Sequence, residues 1–157
     1  MTARTVELLA PGDLVAMAQC MAIDAGAFPY PSAQFGLRAE SARVWVARAE
    51  AGARVEGFLA GRVRRRAMHV EGLAVHPGAR RRGVGRALVR AAVDHARAGR
   101  LRAIGLHVSV RNRAAIALYE GEGFSSAGRL GDFYPASAFE GERDALEMRL
   151  RFQEGDG

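Results

Sequence analysis

Apolar residues recur along this chain with two different periods, and the switches between them divide it into strands and helices. Short apolar-rich runs at Thr5–Leu9, Val44–Arg48, Val55–Arg62, Met68–Val75, Ile104–Val108, Phe124–Leu130 and Ala145–Phe152 are bounded by turn formers and predict strands. Ala51-Gly52 makes the second and third of these antiparallel neighbours. Between them the helical period takes over. After the breaker Ala10-Pro11-Gly12, Asp13 can cap a helix reaching about Ala25. Phe28-Pro29-Tyr30-Pro31 is a stiff aromatic loop, and Ser32 can cap a short second helix. Val84, Leu88, Ala92 and Ala96 fall four apart, giving Gly83–Ala98 one narrow apolar stripe whose alanines permit close packing on a sheet. Arg113–Glu122 predicts a further helix, ended by Gly123. The order is alternating α/β, without repeats or low-complexity linkers.

Length adds that 157 residues suffice for one domain with its own core, expected over 1–152, with 153–157 frayed. No apolar run approaches the roughly 20 residues of a membrane span, and the start reads directly into a strand without a signal-peptide pattern, so a cytoplasmic setting without membrane attachment is expected. The lone Cys20 cannot form an internal disulfide and is expected to be buried. The net charge is +6, and all 23 basic residues are arginine. Arg62, Arg64, Arg65 and Arg66 crowd a hairpin without interleaved aromatics for base stacking, which argues against nucleic acid as the main partner.

The most informative stretch runs from Leu73-Ala74-Val75 through His76-Pro77-Gly78-Ala79 and Arg80-Arg81-Arg82 to Gly83-Val84-Gly85-Arg86-Ala87-Leu88. A strand, a tight loop and a helix start in that order aim unpaired backbone N–H groups, at the positive end of the helix dipole, toward one point. Glycines let an anion approach the backbone, and the arginines add neutralising charge. The pattern suits a pyrophosphate. It does not suit a dinucleotide fingerprint, because Leu88 replaces the third glycine and no acidic residue stands near Ala103. Nor is it a Walker loop, since the chain contains no lysine. An ordinary connection with a solvated arginine run is the bland alternative.

Arg80-x-x-Gly83-x-Gly85 after Leu73-Ala74-Val75-His76-Pro77 resembles the acetyl-CoA signature of the GCN5-related N-acetyltransferase (GNAT) superfamily. Asn112-x-x-Ala115-Ile116-x-Leu118-Tyr119-x-x-x-Gly123-Phe124, preceded by Leu106-His107-Val108, resembles the second half of the same fold. The two motifs together span about residues 68–150. The resemblance is nearest to protein N-terminal acetyltransferases of the ribosomal-protein alanine type. It implies a mixed, mostly antiparallel sheet of six to seven strands, about four flanking helices, and a V-shaped cleft where Ser109–Asn112 splays from the sheet.

By the same resemblance, acetyl-CoA is the cosubstrate, no metal is needed, and Leu73–Val75, Arg80–Ala87, Asn112 and Tyr119 hold the cofactor. Tyr119 is the expected general acid toward the CoA sulfur. Acetyl transfer needs a neutral amine, so a proton acceptor is required as well. His107 stands where the bacterial relatives carry glutamate, and some eukaryotic N-terminal acetyltransferases carry histidine there. Glu71 and His69, on one face of the preceding strand, are the alternative bases. Phe28 and Tyr30 resemble the family's substrate-covering loop, and Tyr134 lies in Gly131-Asp132-Phe133-Tyr134-Pro135, which resembles a second. A protein or peptide N-terminus is the expected acceptor, because an α-amine of pKa ~7.7–8.0 keeps an appreciable neutral fraction near pH 7. A small amine, or a non-catalytic acyl-CoA-binding module, are the competing readings.

Overall fold

The computed structural model describes residues 4–27, 42–138 and 140–153. One sheet contains seven strands: β1 (Thr5–Leu8), β2 (Ala42–Arg48), β3 (Val55–Arg64), β4 (Ala67–Val75), β5 (Ala103–Ser109), β6 (Ser125–Leu130) and β7 (Ala145–Arg151). Their order is β1-β2-β3-β4-β5-β7-β6, antiparallel everywhere except between β4 and β5. Three helices accompany them among the described residues: α1 (Leu14–Ala27), α2 (Val84–Ala98) and α3 (Arg113–Gly121). The mixed, mostly antiparallel sheet is therefore as expected from sequence. The short helix expected after Ser32 lies outside the described residues, as do Phe28, Tyr30 and residues 154–157.

Each helix forms for a local reason and is then held by burial. The Asp13 carboxylate accepts a hydrogen bond from the Ala16 amide at 3.0 Å, capping α1 as its sequence suggested. The predicted stripe of α2 is buried, joined by Val89 and Val93, against Trp45, Leu59, Met68, Val70 and Ile104. On the opposite face, Ala16, Cys20 and Ile23 of α1 pack against Val44, Val46, Phe58 and Ala60. Cys20 is fully buried, and that burial pushes its thiol pKa up to about 12, so it stays protonated and inert.

The β3–β4 hairpin turns on two arginines. Arg65 and Arg66 have φ of 51° and 62°, the left-handed conformation that two-residue hairpins require and that asparagine and glycine adopt most cheaply. The turn is fastened from the side: the Arg66 carbonyl accepts from the Arg102 amide at 2.7 Å, and the Arg66 guanidinium donates to the Arg100 carbonyl at 3.1 Å.

The site depends on what happens between β4 and β5. They pair only from Ala67–Ala103 to Val70–Leu106 and then part. On β4, Gly61 of β3 stands opposite Val70 but Ala60 stands opposite Gly72, so Glu71 is an extra, bulged residue. A bulge bends its strand and increases the local twist, which turns the rest of β4 away from β5. The splay was expected at Ser109–Asn112, and that placement is corrected: Ser109 is still paired with Ala145 of β7, and the opening begins at Glu71 and His107.

Beyond the bulge, β3 and α2 approach closely at Gly57. A Cβ there would lie 3.0 Å from the Ala74 carbonyl oxygen and 3.0 Å from Val84 Cγ1. Gly57→Ala is expected to lower stability by about 1–3 kcal/mol through overpacking. Urea denaturation checks this as a fall in the midpoint with little change in slope.

Candidate active site

The β4–α2 connection is a tight turn with an open helix start. His76 Nδ1 accepts from the Gly78 amide at 3.0 Å and fixes a single 3-10 turn over Pro77–Ala79. Ala79 is buried and anchors the turn, while Arg80, Arg81 and Arg82 stay exposed. Arg81 and Gly83 both have positive φ, 64° and 78°, so the chain winds tightly before Val84 begins α2. No side chain caps that helix start. The open first-turn amides and the dipole therefore face solvent beside the arginines, the arrangement that attracts phosphate groups.

The two glycines have different jobs. Around Gly83 a Cβ would meet nothing within 4 Å, so the space beside its backbone is open to an incoming group. At Gly85 a Cβ would come within 3.1 Å of Leu118 Cδ2. On its Cβ side Gly85 thus makes room for α3. Two further expected cofactor residues are otherwise engaged. Arg86 is ion-paired to Glu122 at 3.1 Å, so its guanidinium points at α3, and the Ala87 amide donates to the Gly83 carbonyl at 3.0 Å. Leu73, Ala74 and Val75 border the opening, since β4 is paired there with β3 alone.

Where the strands part, the catalytic candidates gather. His69, Glu71 and His107 line one cavity of about 370 Å³, together with Arg62, Arg149 and Glu147. The His69 and His107 ring centroids are 5.0 Å apart, and Phe133 lies 4.8 Å beyond His107. Glu71 is held by Arg62 at 3.2 Å, and Glu147 by Arg149 at 2.7 Å. The His69 pKa is held below the ordinary 6.5. Desolvation is the largest cause and His107 the second, opposed by Glu71 and Glu147. A neutral imidazole at neutral pH is thus available to accept a proton.

Tyr119 projects from α3 into the core, 5 % exposed, with its ring 5.6 Å from that of Phe124. Burial, reinforced by neighbouring Tyr134, raises its pKa well above 10, so it remains a phenol that keeps a proton to donate. Asn112 caps α3, its side-chain oxygen accepting from the Ala115 amide at 3.1 Å. That oxygen is therefore committed to the helix. Tyr134 is buried and stacks edge-on against Phe133 at 4.9 Å. The loop carrying both rings is pinned by charge: Asp144 accepts from the Asp132 amide at 2.9 Å and pairs with Arg129 at 2.7 Å.

Sequence reasoning missed Glu147, Arg62 and Arg149 as members of this cavity. Alternation along Glu147-Met148-Arg149 gave them a common face, but their position opposite His107 and Gly105 depends on β7 inserting beside β5. Among the described residues, no group of three or more His, Cys, Asp or Glu is placed to hold a metal ion, and no helix is long and apolar enough to cross a membrane.

A parallel strand pair thus parts beside an uncapped helix start and leaves an opening in the sheet. Comparison gives the class a name: the chain belongs to the acetyltransferase (GNAT) family, which residues 12–124 match. Over 78 residues it is 38 % identical to the ribosomal protein bS18-alanine N-acetyltransferase of Escherichia coli K12, covering 50 % of this chain and 51 % of that one. The chain thus spans about half the length of the curated relatives it matches. The crystal structure of the ribosomal-protein-S18-alanine N-acetyltransferase from Escherichia coli superposes with a TM-score of 0.81 at 26 % identity, covering 94 % of this chain and 93 % of that one. A similar fold occurs in the NatC complex bound to Gag peptide and CoA, with TM-score 0.74, 23 % identity and coverage of 97 % and 99 %.

The two imidazoles are close enough to feel each other's charge. Replacing His107 with alanine removes one of the causes that depress His69. The His69 titration midpoint is expected to move up toward 6.5. Imidazole chemical shifts followed by NMR across pH 4–9 check the direction.

Proposed function

We propose that this chain transfers the acetyl group of acetyl-CoA to a primary amine by direct attack, and that the amine is the N-terminal α-amine of a protein or peptide, met in the cytoplasm. The observation that carries the reading is the parting of β4 and β5 at Glu71 and His107, which puts the imidazole pair at the point where a donor and an acceptor would meet. Family membership supports acetyl transfer. The bS18-alanine enzyme supports an N-terminal acceptor over the half of the chain it matches.

Acetyl-CoA brings the activated thioester; the rest is done by this chain's residues. The open start of α2, the backbone beside Gly83 and the exposed arginines Arg80–Arg82 hold the diphosphate. The unpaired edge of Leu73–Val75 runs alongside the pantetheine arm, and Asn112 orders the start of α3 next to it. His107 takes the ammonium proton, with His69 and Glu71 beside it as relay. Tyr119, kept protonated by burial, donates to the departing thiolate. Phe28, Tyr30 and Tyr134 cover the acceptor. Much of the rate comes from holding the two reactants together in one cleft.

Two measurements test this. Peptides differing only in their first residue, assayed with acetyl-CoA beside a panel of polyamines, amino acids and aminoglycosides, are expected to be acetylated at the α-amine, as read by mass spectrometry. Exclusive modification of small amines overturns the peptide reading but leaves acetyl transfer standing. Tyr119→Phe is expected to keep the fold and acetyl-CoA affinity while lowering kcat by about 10²-fold or more. Unchanged turnover with the chemical step rate-limiting removes Tyr119 from the reaction.

A further inference from the structure

The sheet face beyond the imidazoles carries an ordered pattern of charge. His69 on β4 stands opposite Arg62 on β3 and Gly105 on β5, and Gly105 stands opposite Arg149 on β7. One rung further from His107, Ala67 stands opposite Arg64 and Ala103, and Ala103 stands opposite Arg151. Strand residues two apart share a face. The floor leading away from the imidazoles is therefore made of Gly105, Ala67 and Ala103, which carry little or no side chain. Arginines from β3 and β7 stand on either side of it. The cavity that holds His69 and His107 extends along this floor to Arg64.

The four arginines are not equivalent. Arg62 and Arg149 are neutralised by Glu71 and Glu147. Arg64 and Arg151 are exposed and form no ion pair among the described residues. From β3 to β7 is three strand spacings, about 14 Å, wide enough for an extended chain with its side chains. An extended chain advances ~3.3 Å per residue, so a polypeptide whose amine sits at the His69–His107 rungs brings its third or fourth residue to Arg64 and Arg151.

We propose that this arginine-walled trough receives the residues following the reacting amine, and that Arg64 and Arg151 select acidic side chains there. The inference rests on the reading of the acceptor as a polypeptide N-terminus and adds its specificity. A polypeptide suits the trough better than RNA, because beyond the His69–Gly105 rung the described lining residues, Arg64, Ala67 and Ala103, offer no aromatic ring on which a base could stack.

The test compares peptides that share their first two residues and carry Glu or Gln at positions three and four. At low ionic strength kcat/KM is expected to favour the Glu peptide about fivefold or more, as two exposed charge pairs allow. The ratio is expected to shrink as salt is added. In the double variant Arg64→Ser, Arg151→Ser the ratio is expected to fall to about one, and Arg64→Lys with Arg151→Lys is expected to restore most of it. Equal values for the two peptides in the unaltered chain, or a preference that survives the double serine variant, overturn the proposal. Failure to acetylate either peptide, alongside turnover of small amines, instead overturns the polypeptide reading on which it rests. A single-stranded RNA oligonucleotide that blocks the Glu peptide far below that peptide's KM, and does so through the same two arginines, assigns the trough to nucleic acid and overturns it as well.

Discussion

The short parallel ladder between β4 and β5 is the constraint from which the chemistry follows. It is four residue pairs long, ending at Val70 and Leu106. Were it longer, β4 and β5 would satisfy each other's backbone groups and no opening would exist. Were it absent, His69 and His107 would not share a cavity. Its length is set by the bulge at Glu71, where one extra residue turns β4 aside while β5 continues with β7 to Ser109. The same residue thus contributes a carboxylate to the cavity and ends the pairing that would have closed it.

Much of the architecture is legible locally, and the exceptions share one cause. Asp13 caps α1 and the four-apart stripe of α2 is buried because both signals act within a few turns of chain. The open helix start is equally local, a turn, two positive-φ residues and an uncapped end. What local sequence leaves out is decided by contacts distant in the chain. Leu118, more than thirty residues on, lies against Gly85. Glu122 is as far from its ion-pair partner Arg86. Glu147 could not be placed opposite His107, because β7 enters the sheet out of chain order. The splay was misplaced because a bulge is a property of pairing and leaves no mark in β4 alone.

The charge of the chain has an unusual uniformity. Every basic side chain is arginine, whose guanidinium holds its proton at any ordinary pH. Positive charge along Arg80–Arg82 and around the β3–β4 hairpin is therefore constant. Histidine is the side chain whose ordinary pKa lies nearest neutrality, and two of the chain's four face the cleft. Permanent positive charge and titratable imidazoles are therefore carried by different residue types.

The clamp between α2 and α3 has a mechanical meaning. The sheet's two halves diverge beyond Val70 and Leu106, one leading through the arginine loop into α2, the other through Asn112 into α3. Above the divergence these helices meet: Leu118 fills the space over Gly85, and the largely buried Glu122 binds both Arg86 and Arg90, at 3.1 and 3.0 Å. The molecule is an arch. The half-sheets are its abutments, the helix pair its keystone, and the span beneath has a width fixed by how near two helices can come. Glycine at position 85 lets α2 and α3 come close, so the width of the span is set by side chains on two helices as well as by the sheet.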